Sequence, residues 1–308
     1  MHHLIRVLTL TLALLSACSD AGQPPANTLV PVVIGSLEDP AIREASGLAR
    51  SQRDPGVLWT LNDNGADEWL HAISLRGKRL GEFDLRKSKN VDWEDLASFT
   101  LDGQPYLLVA DIGDNDAKHQ IRTLYIVKEP AAKKKDSEKL DWRIDFRYPG
   151  GPRDAESIAV DIEKQRVLLL SKRNIPPILY ELPLHQETDD VVVARPLGAI
   201  TSLPRPSRQD IEFAPKTKDW HWQPVGMDIS ADNRAAAILT YRAVFYYERA
   251  PGQDWFDALN TKPRRVSIGN FRNAEAIAFG NDQRTVIVTG ESKNSPILAI
   301  NFKKDSAK

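Results

Sequence analysis

The 308-residue chain has few of the residues, cysteine and histidine, that form disulfides or bind zinc. It contains a single cysteine, Cys18, so no disulfide can form within it. Histidine is also scarce, and the residues outside the first few positions lack the spacing of zinc ligands: His71, His119, His185 and His221. The sequence therefore gives no support for a disulfide scaffold, thiol chemistry or a zinc enzyme.

Neither sign of charge is in excess. The chain has 41 Lys and Arg against 42 Asp and Glu, a formal net charge of −1. A nearly neutral chain lacks the basic footprint of nucleic-acid binding, so nucleic acid is not an expected partner. Glycine-rich phosphate loops, the GxSxG elbow and the SxxK pair are missing too. Composition and motifs thus point to no common class of enzyme.

One long apolar run occurs, at the N-terminus. Residues 7–15 follow Arg6 and have the length of a signal-peptide core, too short to span a bilayer. The run ends in Leu15-Ser16-Ala17-Cys18, which resembles the lipobox of bacterial lipoproteins, where the cysteine becomes the lipidated first residue. We predict a signal peptide over 1–17 and a flexible tether over 18–28. An ordinary secretory signal with an incidental cysteine is the alternative.

The lipobox resemblance also implies an address. Ser19, rather than aspartate, follows Cys18. In lipoproteins of Gram-negative bacteria this implies sorting to the outer membrane. We therefore expect an exported protein of the cell envelope, facing the periplasm and held to the membrane through a lipid on Cys18.

The chain does contain a repeated six-residue motif, which we call the phrase. Residues 92–97, 154–159 and 273–278 are near copies, and looser copies lie at 44–49 and 225–230. Their apolar anchors recur at intervals of about 50 to 70 residues: Leu48, Leu96, Ile158, Ile229 and Ile277. Recurrence of this kind indicates stacked supersecondary units.

Each copy is followed by further strand-length runs rich in β-branched and aromatic residues, with turn formers between them. Four strands in a unit of roughly 40–50 residues are typical of a β-propeller blade. We predict an all-β fold over 29–302, a β-propeller of five four-stranded antiparallel blades, followed by a polar tail over 303–308. A sixth, degenerate blade and an open β-sandwich are the alternatives.

Two segments bear on the edges of this fold. The last unit lacks a fourth strand, and residues 29–34 are predicted to supply it, closing the ring and removing an exposed edge. Residues 133–139 mix charges of both signs and are predicted to form a solvated loop.

Three glutamates occupy the same place in three copies of the phrase: Glu94, Glu156 and Glu275. The first strand of a propeller blade lines the central channel, so these side chains should converge, with Glu44 and Asp228 joining less directly. Converging carboxylates require a cation, protons or amide donors, and an oxygen-rich site suits calcium. The favoured interpretation is that each glutamate accepts amide hydrogen bonds from the next blade and locks the ring. The alternative is that the three glutamates form a Ca²⁺ site.

A second set of polar residues follows the second strand of each unit and should gather on one face. Turns explain asparagine and aspartate there but not Lys172-Arg173 or Tyr241-Arg242. We predict an anionic small ligand or a protein partner, held between basic groups and the cation. The predicted ligand-binding residues are Asp63, Asn64, Asp111, Asp114, Lys172, Arg173, Arg242 and Glu291. Trp220-His221-Trp222 either stacks on a ligand or packs an insertion against the barrel.

Residues 44–48, 154–159, Ser171-Lys172 and 178–180 make the chain resemble the bacterial secreted propellers grouped as SdiA-regulated and phytase-like (esterase-like) proteins. The resemblance extends over roughly residues 30–302. It implies calcium bound by acidic residues at the channel mouth, a role that would fall here to Glu94, Glu156 and Glu275. Serine follows Glu156 and alanine follows Glu275, where these relatives often have glycine.

Three functions are compatible with these residues. We favour a non-catalytic, envelope-anchored propeller that binds a ligand or protein partner at its central funnel. The alternative is a calcium-dependent phosphoester or ester hydrolase, with Lys172, Arg173 and Arg242 binding substrate charge. A structural assembly factor is the third.

Overall fold

The computed structural model describes residues 29–303, except 64, 133–134, 187, 189, 206–207, 214–221, 270 and 272. The predicted signal peptide and tether, Asn64, Trp220, His221 and residues 304–308 of the predicted polar tail thus lie outside the described residues. None of the helices in the described ranges has the length and apolarity needed to cross a membrane.

The described chain is almost entirely β-structure. Two short helices occur, α1 (Arg208–Phe213) and α2 (Trp255–Leu259). The strands of the N-terminal half are β1 (Val32–Ser36), β2 (Ala45–Arg50), β3 (Val57–Asn62), β4 (Trp69–Ser74), β5 (Arg79–Arg86), β6 (Trp93–Leu101), β7 (Gln104–Asp111), β8 (Arg122–Lys128), β9 (Lys135–Lys139) and β10 (Trp142–Arg147). The remaining strands are β11 (Ala155–Asp161), β12 (Arg166–Ser171), β13 (Ile178–Pro183), β14 (Val192–Val193), β15 (Arg195–Ala199), β16 (Pro224–Ile229), β17 (Ala235–Thr240), β18 (Ala243–Glu248), β19 (Arg264–Ser267), β20 (Ala274–Phe279), β21 (Thr285–Gly290) and β22 (Pro296–Asn301).

These strands form five sheets, which confirms the five-bladed β-propeller. The first strands of the blades, β2, β6, β11, β16 and β20, contact one another in a ring that closes where β2 meets β20. The fourth strand of the last blade is β1, which pairs antiparallel with β22 through Val32 with Ala299 and Val33 with Leu298. The predicted ring closure by the N-terminal segment is therefore confirmed.

Two blades carry a fifth strand that the sequence did not indicate. Residues Lys135–Lys139 form β9, which pairs in parallel with β5, so the prediction of a solvated loop over 133–139 was wrong for this part. The short β14 pairs in parallel with β10 in the same way. An outermost strand exposes unpaired backbone groups, and an extended segment beside it satisfies them. Because the added strand is itself at the edge, its side chains can be charged.

The hydrophobic core is divided among the blade interfaces. Five clusters of buried side chains each join one blade to the next, for example Trp59 and Phe83 of blade one with Trp93 and Tyr125 of blade two. The Trp59 and Phe83 rings meet edge to face at 5.3 Å between centroids. The other four clusters complete the ring, including the one between the last blade and the first. The blades are thus held together by apolar side chains from both of their faces.

The first strand of every blade contains a register shift at the same place. The extra residue of the bulge is Glu94 in blade two, Glu156 in blade three, Val225 in blade four and Glu275 in blade five. In blade one the shift covers Ser46 and Gly47. A bulge re-aims the side chain of its extra residue, so this feature decides which side chains face the channel.

The bulges correct one sequence-based alignment. Met227 pairs with Ile238 as Ile277 pairs with Val288, so Met227 and not Ile229 is the anchor of blade four. Met227 and Ile229 lie two residues apart on a strand and both are apolar, so the sequence pattern fits either register. Asp228 consequently follows the anchor and does not occupy the position of the glutamates.

Candidate metal and ligand site at the channel mouth

The three bulge glutamates are buried and lie around one lysine. Glu94, Glu156 and Glu275 are 3 %, 4 % and 9 % exposed. The Lys172 ammonium forms an ion pair with Glu156 Oε1, and its charge opposes the rise of the pKa of Glu94 and of Glu275. The structure therefore brings together the three residues that the repeat pattern singled out.

A second ring of side chains lies beside the glutamates. It consists of the residue that follows the second strand of each blade: Asp63, Ile112, Lys172, Tyr241 and Glu291. In four blades the backbone N–H of this residue donates to a carbonyl at or beside the start of the first strand, as Asp63 does to Glu44 at 2.9 Å and Lys172 to Asp154 at 3.0 Å. These bonds fix the loop against the bulge, so polar side chains of the two rings meet. Asp63, Lys172 and Glu291 of the predicted ligand set thus belong to the site, and Tyr241 joins them.

The most acidic part of the site combines residues of blades one and two. One carboxylate oxygen each of Asp63, Asp92 and Glu94 lies within 4.8 Å of the others. Ser46 Oγ donates to Glu94 Oε2 at 3.2 Å and holds that carboxylate in place. Asp92 was missed as a site residue by sequence reasoning, although it stands two residues before the glutamate in the phrase, as Asp154 stands before Glu156.

Gly113 allows the backbone to approach this acidic cluster. A Cβ at this position would lie 2.2 Å from Glu94 Oε1 and 2.6 Å from Asp92 Oδ2. The Gly113 N–H donates to the Asp92 carbonyl at 3.2 Å, which keeps the loop there. Any side chain at Gly113 would have to displace the carboxylates.

Burial and mutual repulsion raise the pKa values of the cluster. The pKa of Glu94 is well above its usual range, first because of burial and then because of the nearby Asp63 carboxylate. Burial also raises the pKa of Asp92, against the opposing charge of Arg122. These shifts mean that the ionised carboxylates lack sufficient positive charge, which a bound cation or proton would supply.

The same site also contains the lysine, a tyrosine and a pair of acids. Lys172 Nζ lies 5.7 Å from the centroid of the Tyr241 ring. Glu275 and Glu291 share a side-chain hydrogen bond, and burial followed by the Glu275 charge raises the pKa of Glu291 to about 8. Among the described residues, Glu156 Oε2 is buried and accepts no hydrogen bond. This part can therefore exchange a proton near neutral pH and has an unused oxygen.

The remaining predicted ligand residues lie around the site rather than in it. Asp111 accepts from the Asp92 N–H at 2.9 Å and pairs with Arg122 at 2.7 Å, and Asp114 accepts from the N–H groups of Lys118 and His119 at 2.9 Å each. Both aspartates therefore shape the blade-two loop.

The two arginines of the predicted set lie on other loops of the same face. Arg173 is exposed and pairs with Asp154 at 2.7 Å. Arg242 donates to the Gly269 carbonyl at 3.0 Å. Glu44 is exposed and forms an isolated bridge with Glu291.

Among the described residues, aspartates rather than the three bulge glutamates accept backbone amides of other blades at the first strands. Asp95 Oδ2 accepts from the Ile158 N–H of blade three at 2.8 Å and from the Met227 N–H of blade four at 3.5 Å. Asp228 Oδ2 accepts from the Phe279 N–H of blade five at 2.7 Å. The ring-locking role that the sequence favoured for the glutamates is thus carried by Asp95 and Asp228. The sequence predicted that Asp228 would join the glutamates less directly. In the structure its carboxylate accepts from the Phe279 N–H, and Asp228 is not one of the three clustered acids.

Comparisons with known proteins identify no family for this chain. No protein-family model matches the chain, and no curated protein matches it. A solved luciferin-regenerating enzyme is similar over 88 % of this chain and 95 % of its own, at 11 % identity and a TM-score of 0.48. At that identity and TM-score the similarity carries no argument about function. The chain is a five-bladed β-propeller.

Proposed function

We propose that the protein is an exported, lipid-anchored propeller of the SdiA-regulated and phytase-like kind that binds calcium at its channel mouth and, with it, a small anionic ligand. The observation that carries this proposal is the cluster of carboxylate oxygens from Asp63, Asp92 and Glu94 within 4.8 Å of one another. Calcium takes six to eight oxygen ligands at about 2.3–2.6 Å, so two oxygens on one ion are at most about 5 Å apart. The cluster meets that limit.

The charge of the site supports a cation. Its described carboxylates are Asp63, Asp92, Glu94, Glu156, Glu275 and Glu291, and Lys172 is the ammonium group among them. Buried charges of one sign are unfavourable unless they are paired. Glu156 Oε2, buried and without a hydrogen-bond partner, is a further oxygen that the site does not use internally. Oxygen ligands of this kind favour calcium over transition metals.

Basic side chains near the proposed cation indicate the chemistry of the ligand. Lys172 pairs with Glu156, and the exposed Arg173 follows Lys172 in the chain. A phosphate or carboxylate can accept from an ammonium and a guanidinium while another of its oxygens reaches the cation. We therefore propose a small anion as the ligand. A protein partner would bind by presenting a phosphate or carboxylate group to the same residues.

Calcium should stabilise the folded protein. A ligand at a hundredfold excess over its dissociation constant adds about 2.7 kcal/mol, or roughly 5–10 °C in melting temperature for a domain of this size. We expect a rise of this order in thermal-shift scans with millimolar CaCl₂ compared with EDTA. Identical melting curves in the two buffers would refute the calcium site.

Calcium affinity should increase with pH. Glu291, with its pKa raised to about 8, is protonated at pH 6.5 and ionised at pH 9. Ionisation adds a negative charge beside the cation, and we expect roughly tenfold tighter calcium binding at the higher pH. Without calcium the same raised pKa makes the folded state less stable as pH rises from about 4.5 to 8. Calcium titrations of wild type and Glu291→Gln test this, since the variant should have a flatter profile.

A calcium-dependent phosphoester or ester hydrolase is the second candidate. The observation that favours it is the Glu275–Glu291 pair, a proton donor and acceptor near neutral pH beside the proposed cation. Chromogenic phosphate and acetate esters, assayed with calcium or EDTA, test for turnover. Turnover that requires calcium and is lost in Glu291→Gln would make the protein an enzyme. Calcium binding with no turnover of either substrate would leave a binding protein.

A further inference from the structure

Exposed apolar side chains concentrate at the start of the described chain. Of the nine large hydrophobic residues exposed in the described part, three lie in one short stretch: Val30, Val32 and Val33, at 57 %, 59 % and 64 %. They belong to or precede β1, the outermost strand of blade five. An uncovered edge strand normally presents polar or charged side chains. The valines therefore mark this edge as an interaction surface.

Basic residues lie across a groove from these valines. The groove has a volume of about 910 Å³ and runs between Leu29–Pro31 on one side and β19 of blade four on the other. The β19 side begins with the basic run Lys262-Pro263-Arg264-Arg265, in which Lys262 and Arg265 are exposed. Arg264 is fixed by a bond to the Phe302 carbonyl at 2.6 Å and by packing on the Tyr246 ring. Apolar side chains beside basic ones match the boundary between the headgroups and acyl chains of anionic lipids.

The position of the proposed lipid anchor selects the same edge. Ten residues lie between Cys18 and Leu29, and the fully extended chain from one to the other spans about 40 Å. A lipid on Cys18 thus limits the distance of β1 from the bilayer and raises the local concentration of lipid at this edge. No other blade edge is so close in sequence to the anchor.

We propose that the outer edge of blade five, with the basic start of β19, rests on the surface of an anionic lipid bilayer. This surface, defined by Val30, Val32, Val33, Lys262 and Arg265, is called the bilayer edge. The valines enter the headgroup layer, and the basic side chains pair with lipid phosphates. The proposal rests on the lipid anchor of the proposed function, but not on the calcium site.

Site-specific fluorescence in vesicles tests the bilayer edge. Full-length Val32→Cys protein, reconstituted into phosphatidylethanolamine–phosphatidylglycerol vesicles, would be labelled with an environment-sensitive dye. The matched control is Val193→Cys on β14, which is 45 % exposed at the outer edge of blade two. We expect a blue-shifted emission at position 32, with quenching by spin-labelled lipid at least threefold stronger than at position 193. Lys262→Glu with Arg265→Glu should reduce that quenching, as should removal of phosphatidylglycerol.

The outcomes distinguish a missing lipid on Cys18 from a bilayer edge that does not contact the membrane. A lipidated Cys18 has no free thiol, so the wild-type protein should take no dye; labelling of wild type would refute the anchor and the bilayer edge with it. An unlabelled wild type with equal quenching at positions 32 and 193, or none at position 32, would refute the bilayer edge alone. A blue shift in detergent that grows with protein concentration would show that a second copy covers this edge, and would also refute it.

Discussion

Replacing Glu94 with glutamine is expected to raise the melting temperature of the calcium-free protein and to remove most of its response to calcium. The pKa of Glu94 is raised well above its usual range by burial and by Asp63, so ionised Glu94 destabilises the folded state near neutral pH. Glutamine keeps the shape and removes the charge. The same change removes a charged oxygen ligand, for which we expect about a hundredfold loss of calcium affinity, or about 2.7 kcal/mol.

The two opposite shifts distinguish a cation site from a structural role. If Glu94 served only to hold the ring, Glu94→Gln would lower the melting temperature in every buffer. Glu38→Gln is the matched control because Glu38 is exposed and lies between β1 and β2, outside the bulges and loops that form the cluster. It should melt like the wild type and keep the full calcium response. Loss of stability without calcium in Glu94→Gln would contradict the account.

Gly113→Ala should displace the acidic cluster while leaving the propeller folded. The new Cβ would lie 2.2 Å from Glu94 Oε1 and 2.6 Å from Asp92 Oδ2, so both carboxylates must move. Overpacking of this kind costs about 1–3 kcal/mol. We expect a lower melting temperature and at least tenfold weaker calcium binding, measured by thermal shift and calorimetric titration.

Gly280→Ala provides the control for the glycine substitution. The nearest atom to a Cβ at Gly280 is the Thr285 carbonyl oxygen at 3.4 Å, and Gly280 lies in a loop after β20. This variant should bind calcium like the wild type. Normal calcium affinity in Gly113→Ala would show that Glu94 and Asp92 do not hold the ion together.

The repeat made the architecture predictable. Equivalent residues of equivalent blades occupy equivalent places, so Glu94, Glu156 and Glu275 had to converge once the chain formed a ring. Ring closure by the N-terminal strand followed from counting strands, because the last blade had one too few and the first segment had no blade. Both inferences depend on symmetry and not on side-chain detail.

Features that differ between blades, or that join unlike positions of two blades, could not be predicted from the repeat. Glu94 and Asp95 are neighbours in the phrase, and only the bulge decides that Glu94 joins Asp63 and Asp92 while Asp95 binds amides of blades three and four. The register of blade four was ambiguous because Met227 and Ile229 both fit an apolar position. The Asp63–Asp92 contact joins two different repeats at unlike positions, which no alignment of the repeats would pair.

The asymmetry of the ring gives the site its polarity. Blades two, three and five have glutamate at the bulge, whereas Val225 holds that place in blade four and the shift in blade one covers Ser46 and Gly47. Blade one contributes the carboxylate of Asp63, which lies beside Asp92 and Glu94 of blade two. Tyr241 of blade four lies near Lys172. The three clustered acids thus belong to blades one and two, whereas Lys172 and Tyr241 belong to blades three and four.

Anomalous diffraction from crystals grown with calcium tests the central claim most directly. We predict one peak at the channel mouth, about 2.3–2.6 Å from carboxylate oxygens of Asp63, Asp92 and Glu94. The peak should be lost in crystals of Glu94→Gln grown in the same solution. Saturating calcium with no peak between these three residues, or with peaks only on exposed surface acids, would contradict the account.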